Sequence, residues 1–142
     1  MFSNNLEDNS RGILIYVSKD VKCTQIFPNI GFNECVILEL EDVSHHKMNI
    51  ATIYKSSSST TENDKKIIEY IKTCFCARNG NKLIMDDFNW PNINWNTWET
   101  SSNIEGKFVD CLRQNFLIQH INTPTSIRGT SRHPACVRSG YY

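Results

Sequence analysis

The chain has 142 residues, enough for one domain with a single core and too few for two. Its 15 basic and 15 acidic residues cancel, which excludes a global field drawing it to nucleic acid or to an acidic membrane. No run approaches bilayer length, and Met1 to Ser10 lacks the basic start and apolar stretch of a secretion signal, so the expectation is an intracellular protein of cytoplasm or nucleus.

Strand signals come first. Gly12 to Ser18 is short, apolar and β-branched and reads as a buried strand, while Val21 to Phe27 alternates loosely and stops at Pro28. Cys35 to Glu41 sets Glu39 and Glu41 on the face opposite Leu38 and Leu40, and Met48 to Tyr54 is a fourth strand. The short turns between these segments predict an antiparallel meander. Residues 56–61 are all Ser or Thr, too polar to pack, and mark a surface loop. Thr61 is placed to cap a helix from about Glu62, with Glu62 and Asp64 at its positive end and Ile67, Ile68, Ile71 and Phe75 along one face. Arg78-Asn79-Gly80-Asn81 closes it.

Lys82 to Asp86 is the next strand, followed by a loop to Ser102 that carries Trp90, Trp95 and Trp98. Ile104 to Phe116 has helical spacing, and Leu117 to Ile121 reads as one more strand. Strands first and helices interleaved later make the class α+β. After Asp110 no acid remains, while Arg113, Arg128, Arg132, His133 and Arg138 follow; a solvated basic terminus is expected rather than a phosphate-binding one. The six cysteines include no Cys-x-x-Cys pair and read as reduced, mostly buried thiols. His45, His46 and His120 have no partner at metal-ligand spacing, and the tryptophans are expected to pack the loop rather than stack on bases.

The informative stretch runs from Leu83 to Trp95. An apolar strand stops at Asp86 and Asp87, and Asn89 follows. Side chains at i and i+2 of an extended chain share a face, so Asp87 and Asn89 would project together while Phe88 turns into the core. A carboxylate to orient water beside an amide that donates to phosphate oxygen suits phosphate-ester hydrolysis. Spacing alone favours a strand ending in polar turn residues before Pro91.

The order of blocks narrows this. Arg11 to Val17, Ile53-Tyr54-Lys55, Ile84 to Asn89, Pro91-Asn92-Ile93-Asn94-Trp95, Phe108-Val109-Asp110 and Asn115 to His120 together resemble the endonuclease/exonuclease/phosphatase superfamily, and within it the endonuclease domain of non-LTR retrotransposons. The resemblance implies a four-layer α/β sandwich of deoxyribonuclease I-like type, magnesium or manganese as cofactor, DNA as substrate and a reverse transcriptase domain in the parent element. It also implies roles: Asp87 positions the attacking water, Asn89 stabilises the phosphate, and the hydroxyl of Tyr54 approaches it, with Lys55 and Ser56 in place of the family's Arg and Pro.

The departures are specific. Asp86 stands where the family has Gly, and two adjacent carboxylates repel. The family's metal-binding glutamate has no counterpart, since the neighbours of Glu7 do not match its motif, and the terminal Asp-His pair is absent, since His133-Pro134 is not that histidine. The expectation is therefore a domain truncated at both ends: a polar lead over 1–10, a partial domain over 11–128 and a divergent, disordered tail over 129–142 without strand pattern. Three functions follow: a retrotransposon-derived endonuclease with impaired turnover, a non-catalytic remnant of it, or a small-molecule phosphoesterase of the same superfamily.

Overall fold

The computed structural model describes residues 1–5, 12–32, 34–121 and 135–139, with the backbone alone at 4, 5, 86, 87 and 135–139. Strands β3 (Lys22–Ile26), β4 (Cys35–Glu41), β5 (Lys47–Tyr54), β6 (Asn81–Asp87), β7 (Ile118–Gln119) and β8 (Ala135–Ser139) form one sheet in the order β3-β4-β5-β6-β8-β7. Neighbours are antiparallel except β5 and β6, which run parallel. Strands β1 (Phe2–Asn5) and β2 (Gly12–Ile15) make a separate antiparallel ribbon.

The two faces of the sheet follow from alternation along the strands. In β5, Asn49, Ala51 and Ile53 are buried on one face, while Met48, Ile50, Thr52 and Tyr54 are half-buried on the other. The first face, with Ile37 and Ile84, receives Ile67, Tyr70, Ile71 and Phe75 from one helical segment and Phe108 and Leu112 from another. Each such fully buried side chain contributes about 1.5–3 kcal/mol. The second face presents Val36 and Leu38 to Ile13 of the ribbon, with Phe2, Ile15, Leu40 and Tyr54 packed at the margin. Helices, sheet and ribbon are thus three successive layers.

The helix α1 (Thr61–Glu69) is capped by Thr60, one residue before the expected Thr61, because the Thr60 hydroxyl accepts from the Asn63 N–H at 3.2 Å. Its expected continuation widens into a π-helical segment over Tyr70–Phe75, where the Cys76 N–H reaches back to the Ile71 carbonyl at 2.8 Å. The wider turn buries Tyr70, Ile71 and Phe75 together. Gly80 then reverses the chain into β6 at φ +95°, where a Cβ would collide with the Lys47 carbonyl. Helix α2 (Asn103–Gln114) buries Glu105, which accepts from Asn92 at 3.1 Å and Thr100 at 2.8 Å and so ties the tryptophan loop to the helix start.

Two expectations are corrected. Gly12 to Ser18 does not join the meander, which comprises β3, β4 and β5; Ile13 and Ile15 stack onto the apolar face of β4 instead of pairing beside it. The ends carry strands: part of the polar lead pairs as β1, and part of the expected tail forms β8, which gains its structure from β6 on one side and β7 on the other. The rest of that lead and tail, with Glu7, Arg128, Arg132 and His133, lies outside the described residues, as do the side chains of Cys136 and Arg138. Among the described residues no helix is long and apolar enough to cross a membrane.

Candidate active site

Parallel strands end at the same edge of a sheet, and this is how the expected residues come together. Tyr54 and Asp87 are direct register partners, each the last residue of its strand. Chain leaving β5 runs through the serine-rich loop into α1, and chain leaving β6 runs through the tryptophan loop into α2, whose Glu105 accepts from Asn92 of that loop. The Tyr54 side chain is half-buried on the ribbon side, and its N–H donates to the Glu34 carbonyl at 3.0 Å. The side chains of Asp86 and Asp87 lie outside what the structure describes.

Asn89 does not continue the extended chain. The strand ends at Asp87, Phe88 turns into the core as expected, and Asn89 takes φ +42°, a left-handed conformation that Asn adopts more readily than most residues. Its carboxamide donates to the Lys55 carbonyl at 2.7 Å, and the Lys55 ammonium donates back to the Asn89 carbonyl at 3.3 Å. The i, i+2 geometry expected for Asp87 and Asn89 is therefore replaced by a turn that fastens the end of β6 to the end of β5.

Lys55 is the residue that spacing alone passes over. It is 5 % exposed, with its ammonium 3.6 Å from the Asp64 carboxylate and 4.4 Å from the centre of the Trp90 ring. Asp64, also buried, accepts from the Ser59 hydroxyl at 2.8 Å. In the sequence Asp64 carries only a helix-dipole signal, and nothing at local spacing links it to Lys55.

The tryptophans divide. Trp90 stacks on Phe108 at 5.0 Å between ring centres and Trp95 meets the same ring edge-on at 6.4 Å, so both are core. Trp98, half-buried, leans edge-on against Trp95, and its carbonyl accepts from Arg113 at 3.2 Å. His45 and His46 belong to the β4–β5 turn at the far end of β5, paired with Glu41 at 2.5 Å and Asp42 at 3.0 Å, and His120 is exposed beyond β7. Of the cysteines described, Cys35 and Cys111 are buried and Cys23, Cys74 and Cys76 half-buried. Burial pushes the thiols of Cys35 and Cys111 up to about 11 and that of Cys76 up to about 12, so they are inert at neutral pH.

Magnesium or manganese would need several converging oxygen ligands. Among the described residues no three His, Cys, Asp or Glu side chains come together that could hold a metal ion.

No family model matches the sequence, and no curated protein is similar to it. The fold is matched by solved structures. The endonuclease domain of TRAS1, a telomere-specific non-LTR retrotransposon, superposes with a TM-score of 0.60 at 16% sequence identity, over 83% of this chain and 54% of that one. An endonuclease/exonuclease/phosphatase family protein from Bacteroides thetaiotaomicron gives a TM-score of 0.43 at 10% identity, over 72% of this chain and 40% of that one. The chain spans about half the length of the retrotransposon domain. The chain shares the α+β fold of that endonuclease domain over part of the domain's length.

Proposed function

We propose that the chain is the core of a retrotransposon-type endonuclease, directed at DNA phosphodiesters and impaired in turnover. The observation that carries this reading is the register of Tyr54 against Asp87 at the ends of the one parallel strand pair described, with Asn89 fastened to the next residue after β5. In this reading Asp87 orients the attacking water, and Asn89 and Tyr54 face the phosphate. Impairment is argued from the sequence: Asp86 stands where the family has Gly, and the family's metal-binding glutamate and terminal Asp-His pair have no counterpart in these 142 residues. Loss of a positioned acid or base costs about a hundredfold to ten-thousandfold in rate.

The test is nicking of supercoiled plasmid by purified chain in magnesium or manganese. The expected result is slow nicking that Asp87→Ala and Asn89→Ala both abolish. Nicking that is robust, or that survives Asp87→Ala, refutes the assignment, and hydrolysis of a small phosphomonoester without any plasmid nicking favours a small-molecule phosphoesterase.

A further inference from the structure

We propose that Lys55 is a positioning residue of this site, holding Asn89 from both sides and through it fixing where the chain turns after Asp87. Lysine is almost never fully buried unless its charge is met. Here the ammonium, with a side chain only 6% exposed, is met from two directions: by the Asp64 carboxylate of α1, and by the Asn89 carbonyl and Trp90 ring of the loop after β6. An ammonium has three donors and no acceptor, and these contacts engage it within the fold.

The tie between Lys55 and Asn89 is reciprocal. The ammonium of one binds the carbonyl of the other, and the carboxamide of the second binds the carbonyl of the first. Two such bonds between the same pair fix both the position of residue 89 and its rotation. That matters at this point because Asn89 sits at φ +42° between Phe88 and Trp90, both in the core, so any change there moves the end of β6. Trp90 extends the linkage to α2 through its stack on Phe108. The charge of Lys55 is thus one node joining β5, α1 and the loop that leaves the strand bearing Asp87.

The proposal rests on the reading of Asp87 and Asn89 as a phosphate site only for its consequence on DNA; the geometry at Asn89 is tested apart from it. The experiment compares Lys55→Met, Lys55→Arg and Asp64→Asn by NMR, reading the solvent exchange of the Asn89 side-chain amide and the backbone coupling that reports its φ. Ile67→Val, a buried change on α1, serves as a control for lost stability. Binding of a short duplex DNA is measured in parallel.

Lys55→Met is expected to raise exchange of the Asn89 amide at least tenfold, to move its coupling away from the left-handed value and to weaken DNA binding about tenfold, with Lys55→Arg restoring all three. Ile67→Val lowers the melting temperature and leaves Asn89 unchanged. If Lys55→Met does not fold, Asp64→Asn decides, since the new carboxamide can still accept from the Ser59 hydroxyl while the charge facing Lys55 is gone: exchange at Asn89 should again rise about tenfold. Unchanged exchange and coupling at Asn89 in whichever of these two variants folds overturns the proposal. Absence of DNA binding by the parent chain counts against the endonuclease reading alone, and the NMR result still decides the role of Lys55.

Discussion

Phe108→Ala removes the ring on which the tryptophan loop is built. Phe108 is fully buried, with Phe88 and Trp90 each 5.0 Å away between ring centres and Trp95 at 6.4 Å. A buried Phe→Ala change costs about 3–5 kcal/mol, and three aromatic neighbours left facing a cavity place this one near the top of that range. Against a domain stability of about 5–15 kcal/mol the loss is a third or more. At about 3–5 °C per kcal/mol for a chain of this size, the melting temperature should fall by roughly 15 °C. Calorimetry reads that fall, and tryptophan emission should shift to the red in the still-folded variant as Trp90 and Trp95 become wetter. A loss below about 2 kcal/mol with unchanged emission would refute the placement of these rings in the core and return them to the surface as candidates for base stacking.

The remaining expectations concern backbone and titration. Gly80→Ala should destabilise by more than about 2 kcal/mol, since it adds left-handed strain to a collision with the Lys47 carbonyl; a urea midpoint equal to the parent's would contradict it. The Glu41 carboxyl is held down at about 2 by Lys22 and His45, so its contribution is complete above the ordinary carboxylate value of 4.5 and is lost as pH falls toward 2. Glu39, lowered by Lys47 and Arg78, acts in the same direction. Glu41→Gln should therefore flatten the acid limb of a urea-midpoint profile, and an unchanged slope would show the pairs to be idle. The raised thiols act with the opposite sign: their contribution is complete below the ordinary value of 9.0 and is lost as pH rises through 11 to 12. At pH 8, labelling of Cys35 and Cys111 should be about a hundredfold slower folded than unfolded, measured site by site by mass spectrometry, with equal rates contradicting their burial.

What the sequence made legible was local. Cys35 to Glu41 reads as a strand with the bounds it has in the structure: Cys35 to Leu38 are buried on both faces, and beyond them Leu40 packs by the ribbon while Glu39 and Glu41 meet Lys47, Arg78 and Lys22. Helix faces were legible for the same reason, through Ile67, Ile71 and Phe75, although the π-helical widening leaves no mark on that spacing. Pairing between distant segments was not legible from pattern. Ala135 to Ser139 carries no alternation of its own and becomes a strand through two neighbours, and the nearness of Tyr54 to Asp87 was implied only by the roles the resemblance gives them, not their parallel pairing. At the site, the extended reading of Asn89 failed because a left-handed residue interrupts the strand period, and Lys55 was missed because its counterion lies on another element.

The place of β8 has a consequence for how the chain is made. It lies between β6 and β7 although it is the last strand described, and it joins Ile84 to Val137 across a long span of sequence. During synthesis β6 therefore emerges with β5 on one side and nothing on the other, a row of unpaired N–H and C=O groups open to any second nascent chain. Closure by a distant segment is slow, because the entropy of the intervening loop must be overcome before the pairing is gained. The strand that carries Asp87 accordingly keeps an unpaired edge until Ala135–Ser139 is available to cover it.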